Sequence, residues 1–293
     1  MSEQLGLTPV VIIGAARSGT RFLRAVLGGS PHASVIPYDI NHVWRHGNES
    51  HGSDELPASL CTAEIKRHIR RTLRQLGSNR SSHARFLVEK SVPNTLRVAF
   101  VHRVLPEAKF IHLVRSGPDV VESSYRKWQE PPDCRYLAAK LSRLPLGSYR
   151  YALWYGGNLL KGILRRGRGV HVWGPRYMGI EDDLERLSLL QVCARQWRVC
   201  VEKAVEQLAR VPGDQQFMLR YEDVVSNEDV VRQLCGFVGL PDEDRVLGVY
   251  RDSVRDDLGG AWRQIFTESE QADVARIIAP AMRVLGYEHA SVS

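Results

Sequence analysis

The chain has no apolar run approaching the roughly 20 consecutive residues that a membrane-spanning helix needs. Its N-terminal stretch carries no basic region ahead of the short apolar run Val10–Ile13, so neither a spanning segment nor a secretory signal is expected. Cysteine is scarce. Cys61, Cys134, Cys193, Cys200 and Cys235 are odd in number, scattered and never spaced C-x-x-C, which argues against a disulfide framework and against a zinc site and fits a reducing cytoplasm. Internal repeats, low-complexity tracts and linkers are absent too, leaving one domain over residues 1–293. With 43% hydrophobic and 25% charged residues, disordered, collagen-like and coiled-coil classes are excluded.

Acidic residues are missing from one long stretch. From Arg135 to Arg176 there are nine basic residues and no Asp or Glu, enough to account for the whole formal charge of +7. The stretch also holds Tyr149, Tyr151, Trp154, Tyr155 and Trp173, and its loose pattern reads as an insertion over the sheet edge, about residues 131–180. Two readings stay open. It is an anion-attracting surface, or its arginines are balanced in the fold by Glu181, Asp182, Asp183 and Glu185. No finger, homeodomain or RNA-recognition signature accompanies the charge, so nucleic acid is not the expected partner.

Short β-branched runs recur at Val10–Ile13, Phe86–Val88, Phe110–Val114 and Phe217–Leu219, separated by segments of helical periodicity. Parallel strands need such crossovers, and buried ones read as continuous apolar runs. The pattern predicts an α/β fold with a parallel sheet flanked by helices. The strongest helix runs Ser188–Ala209, where Leu189, Cys193, Trp197, Cys200, Ala204 and Leu208 form one stripe, placing those two cysteines in the core. Further helices are expected over Asp229–Val238 and before Gly286.

After the first strand comes Gly14-Ala-Ala-Arg17-Ser18-Gly19-Thr20-Arg21, then a helical run. Strand, glycine turn and helix start form a phosphate-binding geometry, because glycine permits close approach and the first helical turn presents unpaired N–H groups. The spacing is that of a nucleotide-triphosphate P-loop, but Thr20 stands where that motif requires lysine. Arg17 and Arg21 can instead fork onto phosphate or sulfonate oxygens. Arg115 ends another buried strand, with Ser123 on the helix expected to start near Pro118. Lys90 ends a third, in Glu89-Lys90-Ser91-Val92-Pro93, before a proline-started helix.

Together these segments resemble the sulfotransferase family, whose members move sulfuryl groups from 3′-phosphoadenosine 5′-phosphosulfate (PAPS) to an acceptor and release adenosine 3′,5′-bisphosphate (PAP). Gly14–Arg21 resembles the 5′-phosphosulfate loop, Arg115 with Ser123 the 3′-phosphate site, and Glu89-Lys90-Ser91 a segment of glycosaminoglycan-modifying members. Ala194-Arg-Gln-Trp197, Leu219-Arg-Tyr-Glu-Asp223, Trp262-Arg263 and the terminal Leu-Gly-Tyr are similar to the family as well; the basic stretch aligns with nothing. Arg115-Ser-Gly-Pro departs from the family's usual Arg-Asp-Pro, and Arg17 replaces the lysine of the small-molecule branch, which points to the glycan and tyrosyl-protein branch.

The resemblance implies a P-loop-type α/β fold, no metal, and a hydroxyl or amine on a carbohydrate or small-molecule acceptor, itself possibly anionic. It implies that Arg17, Ser18, Gly19, Thr20 and Arg21 cradle the 5′-phosphosulfate, that Arg115 and Ser123 hold the 3′-phosphate, and that Arg263 reaches the nucleotide through Gly259-Gly260. Asp39 becomes the base, with His42 as its competitor or an acceptor-orienting group, and Lys90 the cation on the departing oxygen. His42, His46 and His51 lack the helical spacing of a metal site. A P-loop small-molecule kinase and a non-catalytic nucleotide- or polyanion-binding module remain the alternatives.

Overall fold

The computed structural model describes residues 5–78, 83–130, 172–255 and 259–287. Cys134 and the expected insertion up to residue 171 lie outside the described residues. Five strands, β1 (Thr8–Ile13), β2 (Ala33–Val35), β3 (Phe86–Glu89), β4 (Lys109–Val114) and β5 (Gln216–Arg220), form one parallel sheet in the order β2-β3-β1-β4-β5. The four predicted runs all fall within strands. From β1 the chain goes to the edge strand β2, returns to β3 beside β1, and then crosses to β4 on the other side, so the order switches at β1. Ligands of open α/β sheets gather at the carboxyl ends of the strands beside such a switch, where Gly14, Lys90, Arg115 and Tyr221 emerge.

In chain order the helices are α1 (Thr20–Leu27), α2 (Asn41–Trp44), α3 (Ala63–Ser78), α4 (Val98–Val104), α5 (Gly117–Gln129), α6 (Ile180–Arg186) and α7 (Leu189–Leu208). After β5 come α8 (Tyr221–Ser226), α9 (Glu228–Val238), α10 (Glu243–Ser253), α11 (Trp262–Ile265) and α12 (Glu268–Val284). The predicted long helix is α7, opened by a capping box between Ser188 and Gln191, with Cys193 and Cys200 in its buried stripe. It packs on α5 and α12 and closes the core on that face of the sheet. The other face is covered by α1, α9 and α10.

The proline-started helix expected after Lys90 takes 3-10 form. Lys90 is followed by a 3-10 turn, Val92–Leu96, and only then by α4. The Thr95 hydroxyl donates to the Val92 carbonyl and to Gly14, and the Asn94 amide turns back to Glu89, so local side-chain bonds displace the α-helical ladder.

His112, in the middle of β4, is 5% exposed, and burial drops its pKa to about 4. Folded, it is neutral; unfolded, it takes up a proton below its ordinary value of 6.5. Its contribution is therefore fully present above about pH 6.5 and is lost as the pH falls toward 4, a change of about 3 kcal/mol. Urea midpoints of the protein and of His112→Gln at pH 7 and pH 4.5 check this: the variant is expected to lose much less stability on acidification.

Candidate active site

Between β1 and α1 the chain makes a turn closed by the Ser18 amide on the Ala15 carbonyl. Arg17 takes φ 70°, the one left-handed non-glycine among the described residues, a conformation that costs about 1–3 kcal/mol and clusters at functional sites. Gly19 follows at φ 87°, and a β-carbon there would come within 2.3 Å of the Tyr221 ring. A β-carbon on Gly14 would meet the Leu113 carbonyl at 2.7 Å. Both glycines are thus required by close approach. No side chain caps α1, so its first-turn N–H groups face the loop unoccupied by protein. The Ser18 hydroxyl is buried without a hydrogen-bond partner. Buried hydroxyls are normally satisfied, so an anion accepting from Ser18 and the open amides fits this cradle.

Arg17 turns across the loop and donates from Nε to the Ser123 hydroxyl at 2.8 Å. Arg115, at the end of β4, donates from Nη1 to the Arg17 carbonyl at 3.4 Å and lies over the Tyr221 ring at 4.4 Å. Enclosure in the loop, then the charges of Arg21 and Arg126, lower the pKa of Arg17, with Arg115 adding to the effect. Four guanidinium groups thus share this corner; Glu130 opposes the shift of Arg17, and Glu122 pairs with Arg126 at 3.7 Å. Ser123 projects from the second turn of α5, which starts at Gly117, one residue before the expected Pro118. Arg126, one turn beyond it, was not singled out from the sequence; its spacing of three from Ser123 was the available signal.

A second cluster lies across β1. Lys90 is 2% exposed, and its Nζ donates to Asp39 Oδ1 at 2.5 Å, while the Val92 amide donates to Asp39 Oδ2 at 3.2 Å. Burial lowers the Lys90 pKa and the Asp39 charge opposes that shift. Beneath the pair, the buried Glu89 accepts from the Trp44 indole at 3.1 Å and from Asn94 at 3.0 Å, and burial raises its pKa. The segment carrying Asp39 is held further by the Ile40 amide on the Ser91 hydroxyl and by Asn41, which bridges Arg97 and Asp54. His42 is half-buried on α2. Glu89 stood in the motif beside Lys90 with no role of its own, and Asp54 and Arg97 escaped notice, because nothing in a local pattern marks a buried charge.

The structure therefore gathers Arg17, Ser18, Gly19, Thr20, Arg115 and Ser123 around one turn, with Arg21 beside it, and pairs Asp39 with Lys90 next to that turn. Arg21 and Arg24 act on the Lys90 charge, which links the two clusters electrostatically. The Arg263 guanidinium lies over Trp262 at 4.4 Å, and the Arg263 carbonyl accepts from Gln271. Gly260, its neighbour, donates to Asp119 in the first turn of α5. His46 stacks on His68 and His51 contacts Ser53; no metal-holding group of His, Cys, Asp or Glu occurs among the described residues. Arg176 pairs with Glu181, so part of the basic stretch is balanced internally.

A strand-end glycine turn ringed by arginines lies beside a buried lysine paired with a half-buried aspartate, an arrangement suited to a phosphorylated or sulfonated group. The sulfotransferase family profile matches residues 9–155 and 163–244, and the chain belongs to that family. The match runs into residues 131–155, which the motifs left unaligned, and stops before Trp262-Arg263. No curated protein matches. Among solved structures, a sulfotransferase domain from the curacin biosynthetic pathway is 18% identical with a TM-score of 0.50, over 93% of this chain and 98% of that one. A sulfotransferase from Alicyclobacillus acidocaldarius is 16% identical with a TM-score of 0.52, over 96% and 94%. A mouse sulfotransferase complexed with PAP is 13% identical with a TM-score of 0.51, over 97% and 86%. At these identities the likeness is one of fold. No described helix is long and apolar enough to cross a membrane.

Proposed function

We propose that this sulfotransferase takes its sulfuryl group from PAPS and passes it, without a metal, to a hydroxyl or amine of a carbohydrate or small-molecule acceptor. The observation that carries the reading is the convergence of the Arg17 turn with Ser123 and Arg115. Two anion-binding groups from separate strands meet at one corner, as a doubly phosphorylated nucleotide requires. The open amides of α1 and the Ser18 hydroxyl take the 5′-phosphosulfate, and Arg115 with Ser123 the 3′-phosphate.

Transfer is an in-line displacement. The acceptor oxygen forms a bond to sulfur while the bond from sulfur to the 5′-phosphate oxygen breaks, its electron pair leaving on PAP. Asp39 receives the acceptor proton: each carboxylate oxygen accepts one bond from Lys90 or Val92 and keeps a second lone pair for the acceptor. Lys90 spends one of its three N–H donors on Asp39 and directs another at the departing oxygen. His42 orients the acceptor. The basic, aromatic-rich stretch is the acceptor-side element of this reading. An anionic carbohydrate suits its charge and tyrosines.

The test is incubation with ³⁵S-labelled PAPS and fractionated cell extracts, with and without EDTA. Transfer of label to an acceptor, unchanged by EDTA, is the expected result. Magnesium-dependent transfer of phosphate from ATP would replace this reading with the kinase one. PAP binding with no acceptor labelled in any fraction would replace it with the binding module.

A further inference from the structure

Arg115 cannot hold its position alone. It sits on a turn that leaves β4 and enters α5, and the N-cap residue of that helix, Ser116, makes no side-chain cap of its own. The parallel register pairs Val114 with Arg220, which sets Arg115 and Ser116 opposite Tyr221 and Glu222 across the ends of two neighbouring strands. Each member of the second pair grips the first. The Tyr221 ring lies under the Arg115 guanidinium and against Gly19, and Glu222 Oε1 accepts the Ser116 amide at 2.9 Å.

Glu222 is in turn held from behind by the chain's last described residues. Its Oε2 accepts the Tyr287 hydroxyl at 2.8 Å, and burial together with the Glu222 charge keeps that phenol protonated by raising its pKa. Arg220 donates to the Leu285 carbonyl at 2.9 Å and to the Gly286 carbonyl at 3.0 Å, with its guanidinium over the Tyr287 ring at 4.8 Å. Gly286 has φ 67°, and a β-carbon there would stand 3.0 Å from the Arg220 guanidinium, so the tail turns at the one place where Arg220 can reach both carbonyls. A half-buried carboxylate beside a phosphate site would ordinarily repel the ligand. Here both its oxygens are occupied by donors, which makes Glu222 a brace rather than a ligand.

We infer that Glu222 and Tyr287 are positioning residues for the nucleotide's 3′-phosphate: the C-terminal Leu285-Gly286-Tyr287 segment locks Glu222, and Glu222 fixes the turn that aims Arg115. The inference rests on the reading of Arg115 as the 3′-phosphate group, and it assigns this selectivity to residues that never touch the nucleotide.

The experiment compares PAP with adenosine 5′-phosphosulfate, which lacks the 3′-phosphate, by calorimetry. Glu222→Ala is expected to weaken PAP about tenfold while leaving adenosine 5′-phosphosulfate within about twofold. Glu222→Gln, which still accepts from Ser116, should recover most of the loss. Tyr287→Phe removes one half-buried hydroxyl and keeps the ring, and should weaken PAP about threefold with the same selectivity, deciding the matter even if Glu222→Ala does not fold. Equal weakening of both ligands, or unaltered PAP affinity in Tyr287→Phe and, where it folds, in Glu222→Ala, overturns the inference. If the unmutated protein itself binds the two ligands alike, the failure lies with the assignment of the 3′-phosphate site and not with the brace.

Discussion

Replacing Arg115 by alanine is expected to weaken PAP binding by about 2–5 kcal/mol, from about 30-fold to several thousand-fold, the usual loss when one partner of a charged pair in a binding site is removed. The magnitude follows from what the side chain does. Its guanidinium is half-buried, stacked on Tyr221 and bonded to the Arg17 carbonyl, so its orientation is fixed before ligand arrives and little entropy is lost on binding. Its removal also frees Tyr221, which seals Gly19, so the loop loses a support as well as the site a charge. Arg115→Lys should restore only part of the affinity, because an ammonium group cannot present two parallel donors or stack on the ring in the same way. Calorimetry with PAP checks both variants, and unchanged affinity in Arg115→Ala removes the residue from the nucleotide site.

The parts of this molecule legible in its sequence are those where chemistry and local pattern coincide. The β1 run, the glycine turn and the uncapped start of α1 follow one another within a few residues, so the loop could be read directly. The same holds for Arg115 and Lys90, each directly after an apolar strand. β2 escaped because three residues, Ala33–Val35, carry no period, and α3 because its buried face of Ile65, Ile69 and Leu73 is diluted by arginines. The supports of the site were invisible for a different reason. Glu89 under Trp44, Asp54 between Arg45 and Asn41, and Glu222 between Ser116 and Tyr287 act across long sequence separations. Only the sheet register brings them together. Tyr221 and Tyr287 stood inside stretches that resembled the family, yet their contact with the Arg115 turn through Glu222 needed the β4–β5 pairing to be seen.

Asp39→Asn is expected to lower kcat by about 10²–10⁴-fold, the range for loss of a positioned general base, while PAP affinity stays within about twofold. The amide keeps the shape of the carboxylate and can still accept from Val92, so the loop should hold its path. What changes is the proton acceptor and the charge facing Lys90. Because Lys90 is 2% exposed and burial already lowers its pKa, loss of its counter-ion should lower it further, so the variant's residual turnover should fall off with decreasing charge on Lys90 at a lower pH than in the unmutated protein. That displacement of the alkaline limb separates a catalytic pair from a merely structural ion pair, whose rupture would reduce stability without moving the pH profile of the folded fraction. His42 supplies the contrast. Three residues on from Asp39 and half-buried on α2, it is the acceptor-orienting group of this proposal, and His42→Ala should raise KM for the acceptor more than it lowers kcat. Near-normal turnover in Asp39→Asn together with abolished turnover in His42→Ala would transfer the base to the histidine, leaving Lys90 and Asp39 as the charge pair that stabilises the departing oxygen.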